Sequence, residues 1–141
     1  MYEVKKTETI KEQARFTDSQ GNELVINVII NPMVIARKAS VELVEVRDLQ
    51  KKAKMSPNDV RLAEELGDAT LRMLETVLGV NNTQSLMHFY EEDMLAMVMD
   101  VMPFILEVLY PKILASSKEA AKRTRRRHFF NRYLVNRIFS I

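Results

Sequence analysis

Apolar and polar positions alternate most cleanly over Glu23–Ile30, where Leu24, Ile26, Val28 and Ile30 share one side of an extended chain. β-Branched residues dominate this run, as strands favour. A second, weaker strand is predicted over Gln13–Ser19, joined to the first through Ser19-Gln20-Gly21-Asn22. Gly21 can take the positive φ that a short hairpin turn needs. The other side of the stronger strand holds Val25, Asn27 and Ile29, so it is half apolar too. A lone two-stranded hairpin is marginal in water and has to pack on helices or pair with another chain. Residues 1–12 are charged with little periodicity and predict a frayed start.

The period then changes to that of a helix. Asn31 can cap a first helix, with Pro32 at a position where no intrahelical donor is lost. Ile35, Ala39, Leu43, Val46, Leu49 and Ala53 make one face, opposite Arg37, Lys38, Arg47, Asp48, Lys51 and Lys52. A second helix is predicted to start at Ser56-Pro57-Asn58-Asp59, with Ser56 as cap and Pro57 in the first turn. Its core face reads Ala63, Leu66, Thr70, Leu74 and Val77. Gly67 falls mid-helix, where it costs about 1 kcal/mol against alanine; a close helix crossing would explain it. Gly79 is expected to end this helix as a left-handed cap.

Asn81-Asn82-Thr83 begins a third, shorter helix containing Leu86, Met87, Phe89 and Tyr90. Glu91-Glu92-Asp93 then place three acids at the start of a fourth, where the helix dipole favours them. Its apolar positions include Met94, Val98, Val101, Ile105, Val108 and Leu109. Pro103 is expected to kink or divide it, and Pro111 to mark a second bend. The chain turns small, polar and basic over Ala115–Arg127, then recovers a pattern in Phe130, Leu134, Ile138 and Ile141. The fold class read from these periods is α+β and mostly helical. An N-terminal β-hairpin (about 13–30) precedes a cluster of three to four helices (about 32–115). Residues 1–117 form one domain, and 118–141 a basic, amphipathic C-terminal tail.

Composition narrows the chemistry. The 141 residues are 47% hydrophobic and 28% charged, as in an ordinary globular domain. Cysteine is absent, which excludes disulfides, thiol catalysis and cysteine-held metals. Three glycines leave no room for a phosphate-binding loop or dinucleotide fingerprint. Charged residues follow Met1, so no secretory signal is expected. The longest apolar region, Met94–Leu114, contains Asp100, Glu107 and Lys112, which argues against a membrane span. Residues 1–117 carry 13 basic and 18 acidic side chains, a net of −5. Residues 118–141 carry 8 and 1, a net of +7. An acidic body with a basic tail attracts nucleic acid, an anionic membrane surface or an acidic protein, and the tail can fold back on the body.

Four constellations stand out. His88, Glu91, Glu92 and Asp93 can share a helix face, but a zinc site needs three or four ligands and the chain has only two histidines. No metal, cofactor or catalytic residue is expected. Asp93, Asp100 and Glu107 recur every seven residues as an acidic stripe, read as a solvated face or a strip for a basic partner. Five of nine methionines fall between Met87 and Met102. Methionine is flexible and polarizable, suited both to filling a core and to a promiscuous binding surface. Met87, Met94, Met97 and Met102 are the candidate partner-binding residues. Arg125-Arg126-Arg127, followed by His128-Phe129-Phe130, offers phosphate contacts and stacking to nucleic acid, weakly and without sequence preference.

One segment says more. Leu78-Gly79-Val80-Asn81-Asn82-Thr83, Phe89-Tyr90-Glu91-Glu92-Asp93, Met102-Pro103-Phe104-Ile105 and Tyr110-Pro111-Lys112-Ile113 occur in that order. This run resembles the tail assembly chaperones of long-tailed phages and prophages of Gram-positive bacteria, as do the length and the order of strands and helices. The likeness covers residues 13–127 and is concentrated in 78–113. The last segment, Phe129–Ile141, is more apolar than in that family. The resemblance implies a non-enzymatic protein of the host bacterial cytoplasm. It would coat the long, apolar, helical tape-measure protein, recruit the tail-tube protein and be absent from the finished virion. Self-association through the hairpin edge or the helices is expected, because coating a rod takes many copies. Two other readings stand beside it: a small nucleic-acid-binding protein using its basic tail, and a structural tail or connector component. Because the core periodicity ends near Leu114, truncation after Ser117 is expected to leave the melting transition nearly intact.

Overall fold

A computed structural model describes residues 1–4, 8–116 and 118. Strands β1 (Ile10–Thr17) and β2 (Glu23–Ile30) form an antiparallel hairpin in which Gln13 pairs with Asn27 and Thr17 with Glu23. β1 starts three residues earlier than its periodicity suggests and ends two earlier. The early start follows from Ile10, which pairs with Ile30 and is buried, so the strand extends into the charged leader. The early end follows from Asp18, which builds the turn. Its Oδ1 accepts from the Gln20 and Asn22 amides at 2.9 and 2.8 Å, and its Oδ2 from Asn22 Nδ2 at 2.9 Å. Those bonds, the Asn22 side chain's first, hold the Asp18 carboxyl below its usual range. Gly21 sits at φ +85°, as the turn requires. Ile26, Val28 and Ile30 face the core, while Val25 and Ile29 face out.

Helix α1 (Pro32–Met55) is capped by Asn31 Oδ1, which accepts from the Met33 amide at 3.1 Å. Ala36, Ala39, Leu43 and Val46 form its buried stripe. Glu42 joins that stripe: one carboxylate oxygen lies 3.9 Å from Lys38 Nζ and the other has no partner among the described residues. Helix α2 (Val60–Leu78) begins later than Ser56-Pro57 suggests. Asp59 is the cap, accepting from the Leu62 amide at 3.2 Å, and Ser56 instead closes α1 through its amide. Ala63, expected in the core, is exposed in the first turn; the buried face is Ala69, Thr70, Met73, Leu74 and Val77, with Leu66 partly buried against it.

The close crossing expected at Gly67 is absent: a methyl group there meets nothing within 4 Å. Gly67→Ala is therefore expected to raise the unfolding free energy by about 0.5–1 kcal/mol, read by chemical denaturation, since it removes chain entropy without a clash. Gly79 does adopt positive φ, but at φ 91° and ψ 155° it is extended rather than left-handed helical. This conformation is essentially confined to glycine. It lets helix α3 (Val80–Phe89) start at once, a residue before Asn81-Asn82-Thr83. Thr83, fully buried, donates to the Gly79 carbonyl at 2.8 Å, and Asn82 Nδ2 donates to the carbonyls of Leu78 and Asn27, both at 2.8 Å. The second bond fastens α3 to β2.

Of the three acids after α3, only Asp93 serves α4 (Met94–Pro103), accepting from the Ala96 amide at 3.2 Å. Glu91 and Glu92 form the turn itself, both at positive φ. Pro103 does not end the helix. It is followed by six residues in π-helical form, Phe104–Leu109, and then by ordinary helix, so one helix runs from Met94 to Ser116. The π segment lies between Pro103 and Pro111, each of which removes an N–H from the hydrogen-bond ladder. Its wider turns have a packing consequence. Met97, Val101, Ile105, Leu109 and Ile113 are all fully buried at a spacing of four. In a plain α-helix that spacing drifts by about 40° per step; the π turns hold the seam against the core. This seam packs with the hairpin's inner face, the stripes of α1 and α2, and Leu86 of α3. Tyr110 Oη, 3.1 Å from Ser40 Oγ, and an ion pair between Lys112 and Glu12 tie the helix end to α1 and β1.

Candidate partner-binding surface

The long helix is the most apolar element, and the described residues cover only one side of it. By length and composition it is apolar enough to cross a membrane, yet its inner side is the core of the fold. In its most apolar stretch, 22% of the residues are buried. Leu95, Met99, Met102 and Leu106 follow spacings of 4, 3 and 4, which places them on one face opposite Met97 and Val101. Leu95 is 73% exposed and Met99 68%; Met102 and Leu106 are half-buried. Hydrophobic side chains are common on surfaces one at a time. A helical row of them beside a cleft is a different feature.

The cleft, about 480 Å³, lies where β1 meets this helix. Phe16, Tyr90, Met99, Pro103 and Phe104 give it an apolar lining, and Asp100 sits among them. Tyr90 comes from the Phe89-Tyr90-Glu91-Glu92-Asp93 run and Pro103-Phe104 from the next quoted run, so two separated motifs converge on one place. Tyr90 is held from three sides. Its ring meets Phe16 edge-on at 6.4 Å and Phe89 edge-on at 5.4 Å, and its hydroxyl donates to Asp100 Oδ2 at 2.6 Å.

Partial burial, then the hydrogen bond to Asp100 and its negative charge, push the Tyr90 phenol well above its usual range. The native state thus keeps a proton that the unfolded chain loses near pH 10. Stability is expected to fall as pH rises past that value. Tyr90→Phe should flatten this part of the curve, in denaturation midpoints taken from pH 8 to 11.

The four methionines predicted to bind a partner do not form one patch. Met97 is fully buried and belongs to the core. Met94 and Met102 are half-buried on the long helix and pack against the core. Met87 lines a separate shallow pocket with Gln84, His88, Glu91 and Glu92. Among the described residues no three histidine, aspartate or glutamate side chains are placed to hold a metal ion. The acidic stripe is partly consumed, since Asp93 caps α4 and Asp100 holds Tyr90. Arg125, Arg126 and Arg127 lie outside the described residues, as does the rest of the basic tail beyond Lys118. Leu95, which is exposed, and Phe16, which is buried at the base of the cleft, are residues that sequence reading passed over. The 4, 3, 4 spacing from Leu95 to Leu106 was the available signal for the first; nothing local marks Phe16. No known family, curated protein or solved structure matches this chain.

Proposed function

We propose that this protein is a tail assembly chaperone of a long-tailed phage or prophage, acting in the bacterial cytoplasm without catalysis. It binds apolar helical segments of the tape-measure protein and keeps them soluble until the tail-tube protein polymerises around them. The observation that carries this reading is the row Leu95, Met99, Met102 and Leu106, exposed at Leu95 and Met99 and half-buried at the other two, with the aromatic cleft at its side. An apolar helix laid along that row would read it through i, i+3 and i+4 contacts. Methionines let one surface accept helices of differing detail, as coating a long rod demands. The resemblance of residues 78–113 to such chaperones points the same way, because its motifs surround this surface.

Binding of nucleic acid is the weaker reading: the body is net −5, and a phosphate-binding face extending over it would have to overcome that charge. The test is co-expression with fragments of the tape-measure protein encoded in the same phage or prophage. The wild-type chain is expected to raise their soluble yield. No gain across several fragments would refute the proposal.

A further inference from the structure

The groove between α1 and α2 takes no part in the surface described above. It is about 520 Å³. Val41, Val44 and Leu49 form its apolar floor, and the first two are 61% and 56% exposed. Acids border it. Glu45 is bound to Arg72 at 3.1 Å and Glu65 to Arg61 at 3.3 Å. Asp48 and Asp68, also on its rim, make no ion pair among the described residues. An apolar floor with unpaired acids at its edge fits an amphipathic segment whose polar positions are basic.

We propose that the occupant is the chain's own C-terminal segment, residues 125–141, docked in cis. Its sequence has the complementary pattern: Phe130, Leu134, Ile138 and Ile141 at spacings of 4, 4 and 3, flanked by Arg125, Arg126, Arg127, Arg132 and Arg137. Charge favours the match at long range as well, +7 in residues 118–141 against −5 in the rest. The connection is short. The Tyr110–Ser40 contact sets the long helix, six residues before Ser116, beside α1 at the residue preceding Val41. Residues 119–124, between the described helix and the docked segment, can span up to about 20 Å when extended. A tether of this length supplies millimolar effective concentration, so weak contacts suffice. The acidic stripe on the long helix is a poorer host, because Asp93 and Asp100 already serve the fold. Docking in a surface groove rather than the core also agrees with the expectation that truncation after Ser117 leaves the melting transition nearly intact.

The absence of cysteine allows a direct test on the full chain. A spin label placed through Asn136→Cys, on the ¹⁵N-labelled protein, is expected to broaden the amide signals of Val41, Val44 and Asp68. Asp48→Lys with Asp68→Lys should abolish that broadening. Adding Arg125→Glu, Arg126→Glu and Arg127→Glu to the same chain should restore it. Broadening at Leu95 and Met99 instead, or none at all, would overturn the proposal. So would broadening that appears only when the label and the ¹⁵N reside on different copies, which would make the occupant a second molecule.

Discussion

Met97→Ala is expected to lower the unfolding free energy by about 2–5 kcal/mol, whereas Met99→Ala, two residues on, should change it by no more than about 0.5 kcal/mol. The two side chains are chemically identical and sit on the same helix. They differ in what surrounds them. Met97 is fully buried in the seam with Val101 and Ile105, so truncation opens a cavity in a packed interior. Met99 is 68% exposed at the rim of the cleft and loses little on truncation. Denaturation midpoints of the two variants, at unchanged m-value, measure the difference. Equal losses would mean that both sides of the long helix are covered, and no open face would remain for a partner.

How far this arrangement can be read from sequence depends on the residue. β2 and the centre of the buried stripe of α1, Ala39, Leu43 and Val46, are legible because they follow periods of two and 3.6, whereas Ala36 and the charged Glu42 join that stripe unannounced. The start of α2 is not legible, because Ser56-Pro57 and Asp59 both offer a cap; Asp59 takes the role, and Ser56 is used to close α1. The seam of the long helix obeys neither period. Met97, Val101, Ile105, Leu109 and Ile113 recur every four residues, and that spacing makes sense only with the π segment between the two prolines. Missing it leaves Met97 free to be counted as surface. Phe16 and Tyr90 meet across 74 residues of sequence, a contact that no local pattern announces. The motifs around Tyr90 and Pro103 mark the right region, but the hairpin completes the cleft.

The second large effect is on binding. Leu95→Glu combined with Met99→Glu should leave the melting transition nearly unchanged, since both side chains are exposed in the free protein. Against a bound apolar helix each substitution forfeits burial of about 1.5–3 kcal/mol. Together they are expected to weaken binding about a hundredfold or more and to abolish the gain in soluble tape-measure fragment. Val60→Glu on α2, where the wild-type side chain is 71% exposed, changes charge and apolar area in the same way and should keep that gain.

The most direct measurement is photo-crosslinking of the complex. A benzophenone amino acid is placed at Met99 in one sample, at Val44 in a second and at Val60 in a third, each co-expressed with the same tape-measure fragment. The Met99 probe is expected to capture the fragment in high yield, and the other two are expected not to. Capture from Val44 or Val60 with none from Met99 would contradict this expectation, because the partner would then lie on α1 or α2 and the open face of the long helix would not be the binding surface.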